Sequence, residues 1–136
     1  NNYYENLKEL VKNYNISKNI IFTGQQSEVA KFYKIFDCFV FPAINDSNPR
    51  VILEAMSAKI PIVANNTGGV VHMLENGKFG LISEVDNVKS FTKNIEKIIN
   101  NKSIVNTNET FIKLDHDFSI KKHRNEILNI YKDCLK

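Results

Sequence analysis

Residues 38–64 read Cys38-Phe39-Val40-Phe41-Pro42-Ala43-Ile44-Asn45-Asp46-Ser47-Asn48-Pro49-Arg50-Val51-Ile52-Leu53-Glu54-Ala55-Met56-Ser57-Ala58-Lys59-Ile60-Pro61-Ile62-Val63-Ala64. Cys38 to Pro42 is a short apolar run with no polar alternation, and Pro61 to Ala64 is another. Between them, Pro49 to Lys59 has the composition of a helix, with Pro at its first position and Asn48 as its N-cap. Unalternated strands joined by a helix belong to a parallel sheet covered on both faces. Ligands of such sheets bind outside the carboxyl ends of the strands.

Working outward, the same pattern recurs. Asn19 to Thr23 (NIIFT) reads as a strand closed by Gly24, and Gly80 to Ser83 as a fourth. Leu7, Leu10, Val11 and Tyr14 predict an opening amphipathic helix ending near Asn15. Ser27 is the expected N-cap of a helix carrying Val29, Phe32, Tyr33 and Phe36 on one stripe. Gly68-Gly69 leads into a short helix ending at Asn76-Gly77. Val88, Phe91, Ile95, Ile98 and Ile99 mark a strong helix, residues 100–110 a polar stretch, and residues 119–135 a last helix. The expected fold is a Rossmann-like α/β layer, a single domain over residues 1–136.

Composition narrows the function classes. The chain has 136 residues, 43% of them hydrophobic and 24% charged, as in an ordinary globular domain. Its 18 basic and 15 acidic residues leave a charge of +3, too slight and too evenly spread to predict a nucleic-acid partner. No apolar run reaches the ~20 residues of a membrane span, and no secretory signal pattern is present. Cys38 and Cys134 lack disulfide-framework or metal-ligand spacing. The chain reads as cytoplasmic.

The unusual chemistry gathers at three strand ends: residues 23–26, 42–46 and 65–69. Helix-start amides at Arg50 and Val51 have no intrahelical acceptor and suit a diphosphate, with the Arg50 cation beside it. Glu54, one turn on, is placed to reach ribose hydroxyls, and Asp46 to accept from a sugar. The alternative is structural: Asp46 and Ser47 cap the helix, and Arg50 with Glu54 is an i,i+4 surface pair. Gly68-Gly69 and Gly24 either admit a ligand close to the backbone or simply turn the chain. Neither forms a G-x-G-x-x-G or P-loop pattern. Asp115-His116-Asp117 is read as capping the last helix, not as a metal motif, and Cys38 as a buried small hydrophobe.

The ordered series FTG, FVFP, D-x-x-P-R-V-I-L-E-A-M, P-I-V-A, G-G and N-G-x-x-G-L-I resembles retaining glycosyltransferases of family 4, from about Asn6 to Tyr131. The resemblance implies the B-type fold, two Rossmann-like domains facing across a cleft, with this chain the bulk of the C-terminal, donor-binding one. The N-terminal acceptor domain and the first part of this domain, with its Gly-rich turn and Arg/Lys pair, are expected elsewhere in a longer protein. The family's paired acids fall on Asp46, implied to bind the donor sugar, and Glu54, implied to bind the ribose; these are the expected catalytic pair. Donor binding is assigned to Gly24, Gln25, Asp46, Ser47, Asn48, Pro49, Arg50, Val51, Glu54, Gly68 and Gly69.

The implied activity is transfer of a hexosyl group from a nucleoside-diphosphate sugar to an acceptor hydroxyl with retention, in bacterial capsule or lipopolysaccharide assembly. No cofactor or metal is implied. A UDP-sugar is favoured over a GDP-sugar, the acceptor is a saccharide or lipid-linked saccharide, and the enzyme would touch the inner membrane face peripherally. The isolated chain is expected to be inactive. Nucleotide-sugar epimerases of the same fold, and a degenerate binding domain, are the alternatives. The sequence departs from the family at Asp46 (usually Glu), Ser47, Asn48, Lys59 (usually Gly) and His72 (often an acid).

Overall fold

A computed structural model describes residues 2–135. Three parallel strands, β1 (Phe39–Phe41), β2 (Ile62–Asn65) and β3 (Leu81–Ser83), form a sheet in the order β1-β2-β3. Phe39 pairs with Ile62, and Val63 with Leu81. The helices are α1 (Asn2–Asn13), α2 (Ala30–Tyr33), α3 (Arg50–Ser57), α4 (Val70–Met73), α5 (Val88–Asn100), α6 (Thr107–Phe118) and α7 (Ile120–Cys134). Short 3₁₀ turns cover Glu75–Gly77 and Lys102–Ile104.

All four residues of β2 are buried, which explains why its sequence does not alternate. Ile62 and Ala64 face a core built with Ile52, Ala55 and Met56 of α3 and Val70 and Met73 of α4. Val63 points to the opposite face, where α5 lies against β2 and β3. A buried polar tether fixes α5 there: Asn94 Nδ2 donates to Ser83 Oγ (2.9 Å) and to the Ile82 carbonyl (3.2 Å). The parallel sheet with helices on both faces is therefore observed.

Four expectations need correction. Asn19–Thr23 is no strand: Asn19 closes a turn onto the Ile16 carbonyl, residues 20–23 join no ladder among the described residues, β1 pairs only with β2, and Ile21 is 86% exposed. Ser27 caps nothing, because α2 is a single turn that begins at Ala30 with Val29 as its uncapped start. The polar stretch expected over residues 100–110 gives way to a full helix at Thr107, which runs to Phe118. Asn106 starts it by accepting from the Glu109 N–H (3.3 Å) while its own amide donates to Glu109 Oε1 (2.9 Å). Asp115-His116-Asp117 therefore sits in the last turn of α6, and Ser119 is the cap of α7. Asp117 instead binds Lys113 (2.8 Å), Lys122 (3.0 Å) and His116 (2.7 Å); Lys113 is the largest of the influences holding its carboxyl well below the usual range.

The end of α3 accounts for the departure at Lys59. The Ile60 N–H bonds the Ala55 carbonyl and the Lys59 N–H the Met56 carbonyl, closing a Schellman motif. Lys59 thus occupies the left-handed position (φ 56°) that glycine fills at least cost. Its ammonium bonds Asn108 (3.3 Å) and lies over the Phe111 ring (4.7 Å), both exposed contacts that recover only part of that cost. Lys59→Gly is expected to stabilise the domain by about 0.5 kcal/mol. Thermal melting checks it, and a lowered midpoint would show that the two side-chain contacts outweigh the backbone strain.

Candidate donor site

The loop between β1 and α3 is shaped by its own side chains. Asp46 Oδ1 accepts from the Asn48 N–H (3.0 Å), a turn closed by an acidic side chain over its own backbone. The Asp46 N–H donates to Thr67 Oγ1 (3.3 Å), and the Gly69 N–H to the Ser47 carbonyl (2.9 Å). These two bonds lock the loop at residues 45–49 onto the turn after β2. Gly68 makes the approach possible: at φ 46°, a Cβ there would lie 1.9 Å from the Asp46 carbonyl oxygen and 2.7 Å from Ser47 Cα. The glycine pair therefore serves the contact between two loops of the site. Thr67, buried and central to that contact, was not among the residues singled out from sequence.

The helix start differs by one residue from expectation. Pro49 is the N-cap, buried and extended (φ −71°, ψ 95°), and its carbonyl accepts the Ile52 N–H at 3.0 Å. Asn48 lies before the cap because the proline's extended ψ delays the helix to Arg50. The amides of Arg50 and Val51 still have no acceptor among the described residues, so the anion-binding character of the helix start is kept. Ser47, Asn48 and Arg50 are exposed, and Asp46 is half-buried.

Glu54 does not pair with Arg50. Its Oε2 accepts from the Tyr33 hydroxyl at 3.1 Å, which removes the surface-pair reading. Glu54 and Tyr33 line a cleft of about 860 Å³ together with Ser27, Glu28, Leu53 and Ser57. Tyr33 is pushed up to about 12, chiefly by burial and further by its bond to the Glu54 carboxylate. A tyrosine on a core stripe was legible from spacing, but its partner 21 residues away was not. Gly24 (φ 64°) and Gln25 lie in the exposed segment leading to this cleft, and no hydrogen bond joins them to residues 45–54. His72 packs edge-on to Phe118, away from these residues, and burial raises the half-buried Cys38 thiol.

The carboxyl ends of the sheet thus carry a helix start with two unpaired amides, a carboxylate beside a cleft and two interlocked loops, the face on which α/β domains of this kind hold their ligands. Residues 1–118 match the family described as "Glycosyl transferases group 1", and the chain belongs to that family. It is 28% identical over 120 residues to the capsular polysaccharide biosynthesis glycosyltransferase CapM of Staphylococcus aureus, covering 87% of this chain and 32% of that protein. It is 25% identical over 136 residues to an Escherichia coli enzyme named UDP-Gal:alpha-D-GlcNAc-diphosphoundecaprenol alpha-1,3-galactosyltransferase, covering 96% of this chain and 35% of that one.

Among solved structures, a glycosyltransferase from Rickettsia africae superposes with a TM-score of 0.89 at 25% identity, over 99% of this chain and 37% of the other. Anabaena Alr3699/HepE in complex with UDP shares the fold, with a TM-score of 0.89 at 18% identity over 97% of this chain and 37% of that one. These neighbours are B-type glycosyltransferases, so the Rossmann-like layer is one half of that fold. The chain spans about a third of the length of the curated relatives it matches. No helix among the described residues is long and apolar enough to cross a membrane.

Proposed function

We propose that this chain is the donor-binding part of a retaining, family-4 hexosyltransferase that uses a nucleoside-diphosphate sugar in bacterial surface-polysaccharide assembly. The observation that carries the reading is the placement of Glu54: its carboxylate borders a cleft large enough for a nucleoside, four residues along the helix whose first amides are free. In this reading the ribose meets Glu54. The diphosphate sits at the amides of Arg50 and Val51 with the Arg50 guanidinium beside it. The sugar lies against the loop of Asp46, Ser47, Asn48 and Pro49, backed by Gly68 and Gly69, and Gly24 and Gln25 lie on the segment that leads to the cleft at Ser27.

Transfer draws on two effects of these residues. The unpaired amides and Arg50 stabilise the charge that develops on the departing diphosphate. The interlocked loops hold the sugar in one orientation, which supplies the proximity part of the rate. Asp46 has one oxygen engaged by the Asn48 N–H, leaving Oδ2 for a sugar hydroxyl. No cofactor or metal enters this scheme. A UDP-sugar is favoured, in keeping with the UDP in the Anabaena structure. The acceptor, a saccharide or lipid-linked saccharide, is supplied by an acceptor domain in the rest of a longer protein. That protein works in the cytoplasm with a peripheral contact at the inner membrane face. The 136-residue chain alone is expected to bind donor without transferring it.

Titration of the intact protein with UDP, GDP and ADP, without metal, tests the reading. UDP is expected to bind, and Glu54→Ala to weaken it at least about tenfold, the loss of hydrogen bonds to a charged acceptor. A folded intact protein that binds no nucleotide would sink the proposal in favour of a degenerate domain. Nucleotide binding indifferent to Glu54→Ala would remove Glu54 from the site.

A further inference from the structure

Tyr33 is only 5% exposed, and its ring is held at an angle to Phe36 (centroids 5.8 Å apart) and Phe39 (5.6 Å). A phenylalanine would meet every one of those apolar contacts. The hydroxyl has a separate use: it reaches across to α3, 3.1 Å from Glu54 Oε2 and 3.4 Å from the Val51 carbonyl. It carries one proton, and the nearer, charged acceptor takes it. Glu54 itself is exposed and long, with three torsions to fix before it can accept from anything.

We infer that Tyr33 is a positioning residue for Glu54, holding Oε2 so that Oε1, which has no protein partner among the described residues, faces a ribose hydroxyl of the nucleoside diphosphate. This rests on the ribose role given to Glu54 above. The geometry supports it in three ways. The tyrosine is immobilised by the core, so the hydroxyl is a fixed point. Its pKa of about 12, raised first by burial and then by Glu54, keeps it a proton donor at every working pH. Both residues line the same cleft, so the bond is made at the place where the nucleoside is expected.

The test compares UDP and GDP with their 2′,3′-dideoxy counterparts, by calorimetry on the intact protein, its Tyr33→Phe variant and its Glu54→Ala variant. Tyr33→Phe is expected to weaken the ribonucleotide about fivefold and to leave the dideoxy ligand unchanged, because only the ribose contact is disturbed. Its melting temperature should stay close to that of the parent, since the ring contacts remain. Equal weakening of both ligands would show that Tyr33 supports the fold and nothing more, and an unchanged ribonucleotide affinity would overturn the inference outright. Glu54→Ala separates the two levels. If it abolishes the preference for ribose while Tyr33→Phe preserves it, the inference alone fails. If Glu54→Ala also preserves that preference, the ribose role of Glu54 fails and takes the inference with it; absence of binding by either nucleotide has the same meaning.

Discussion

Gly68→Ala is expected to destabilise the domain by at least about 3 kcal/mol, a fall of roughly 10 °C in melting temperature, and to remove nucleotide binding together with stability. Two costs add. The residue sits at φ 46°, where an L side chain costs about 1–2 kcal/mol. The new methyl carbon would also lie 1.9 Å from the Asp46 carbonyl oxygen and 2.8 Å from its carbonyl carbon. Those are backbone atoms, so no rotamer change relieves the overlap; the loop must move. That movement breaks the Asp46–Thr67 and Gly69–Ser47 hydrogen bonds, which are what hold the 45–49 loop at the helix start. Differential scanning calorimetry and nucleotide titration of the variant check both parts. A variant with parental stability would mean that the two loops are not in this contact in solution.

The contact changes what Gly68-Gly69 says about function. From sequence, the pair pointed equally to a ligand approach and to a plain turn. In the structure the close approach is between two protein loops, and in the proposed reading the donor meets the surface they build jointly. The same holds for Asp46. Its shorter side chain, relative to the glutamate usual in the family, folds back to the Asn48 N–H and fixes the loop that would carry the sugar. The residues altered from the family pattern at 46–48 are thus held by the loop's own internal bonding.

Legibility followed burial. Residues 39–41, 62–65 and 81–83 were readable as unbroken apolar runs, although only β2 is buried throughout and Val40 of β1 is exposed, and α3 because proline and the apolar spacing mark it. Residues 19–23 have the same apolar composition, but a strand also needs a neighbour to bond, and composition cannot supply one. Residues 100–110 read as a polar stretch, which hides the start of α6 at Thr107, although Phe111, Leu114 and Phe118 recur at helical spacing beyond it. The start signal is Asn106 with Glu109 three residues on, a capping pair inside the polar stretch. In α5 the apolar stripe was read as Val88, Phe91, Ile95, Ile98 and Ile99. Yet Val88 and Ile99 are exposed while Asn94 is buried, because its amide satisfies Ser83 and Ile82. At the site, the helix-start groups followed from chain order, whereas the partners Tyr33 and Thr67 depended on tertiary contacts between segments about 20 residues apart.

Ile52→Ala provides the sharpest contrast between holding the fold and holding the ligand. Ile52 is fully buried in the core between α3, α4 and β2. Truncation removes three carbons from a packed site and is expected to cost about 3 kcal/mol, the usual loss for a buried aliphatic that leaves a cavity. Glu54, two residues on, points roughly 200° away around the same helix, toward the cleft. Removing its carboxylate from an exposed position is expected to change stability by less than about 1 kcal/mol. The two variants should therefore show opposite behaviour in one pair of measurements. Ile52→Ala should melt roughly 10 °C lower yet bind UDP with nearly parental affinity well below its midpoint. Glu54→Ala should melt normally and lose UDP. The argument depends on α3 acting as a rigid body, anchored by Ala55, Met56 and the Schellman turn at Lys59 even when Ile52 is shortened. Loss of UDP affinity in Ile52→Ala at a temperature where it is fully folded would show that the helix start shifts when its core anchor is cut, and would tie the anion site directly to the packing beneath it.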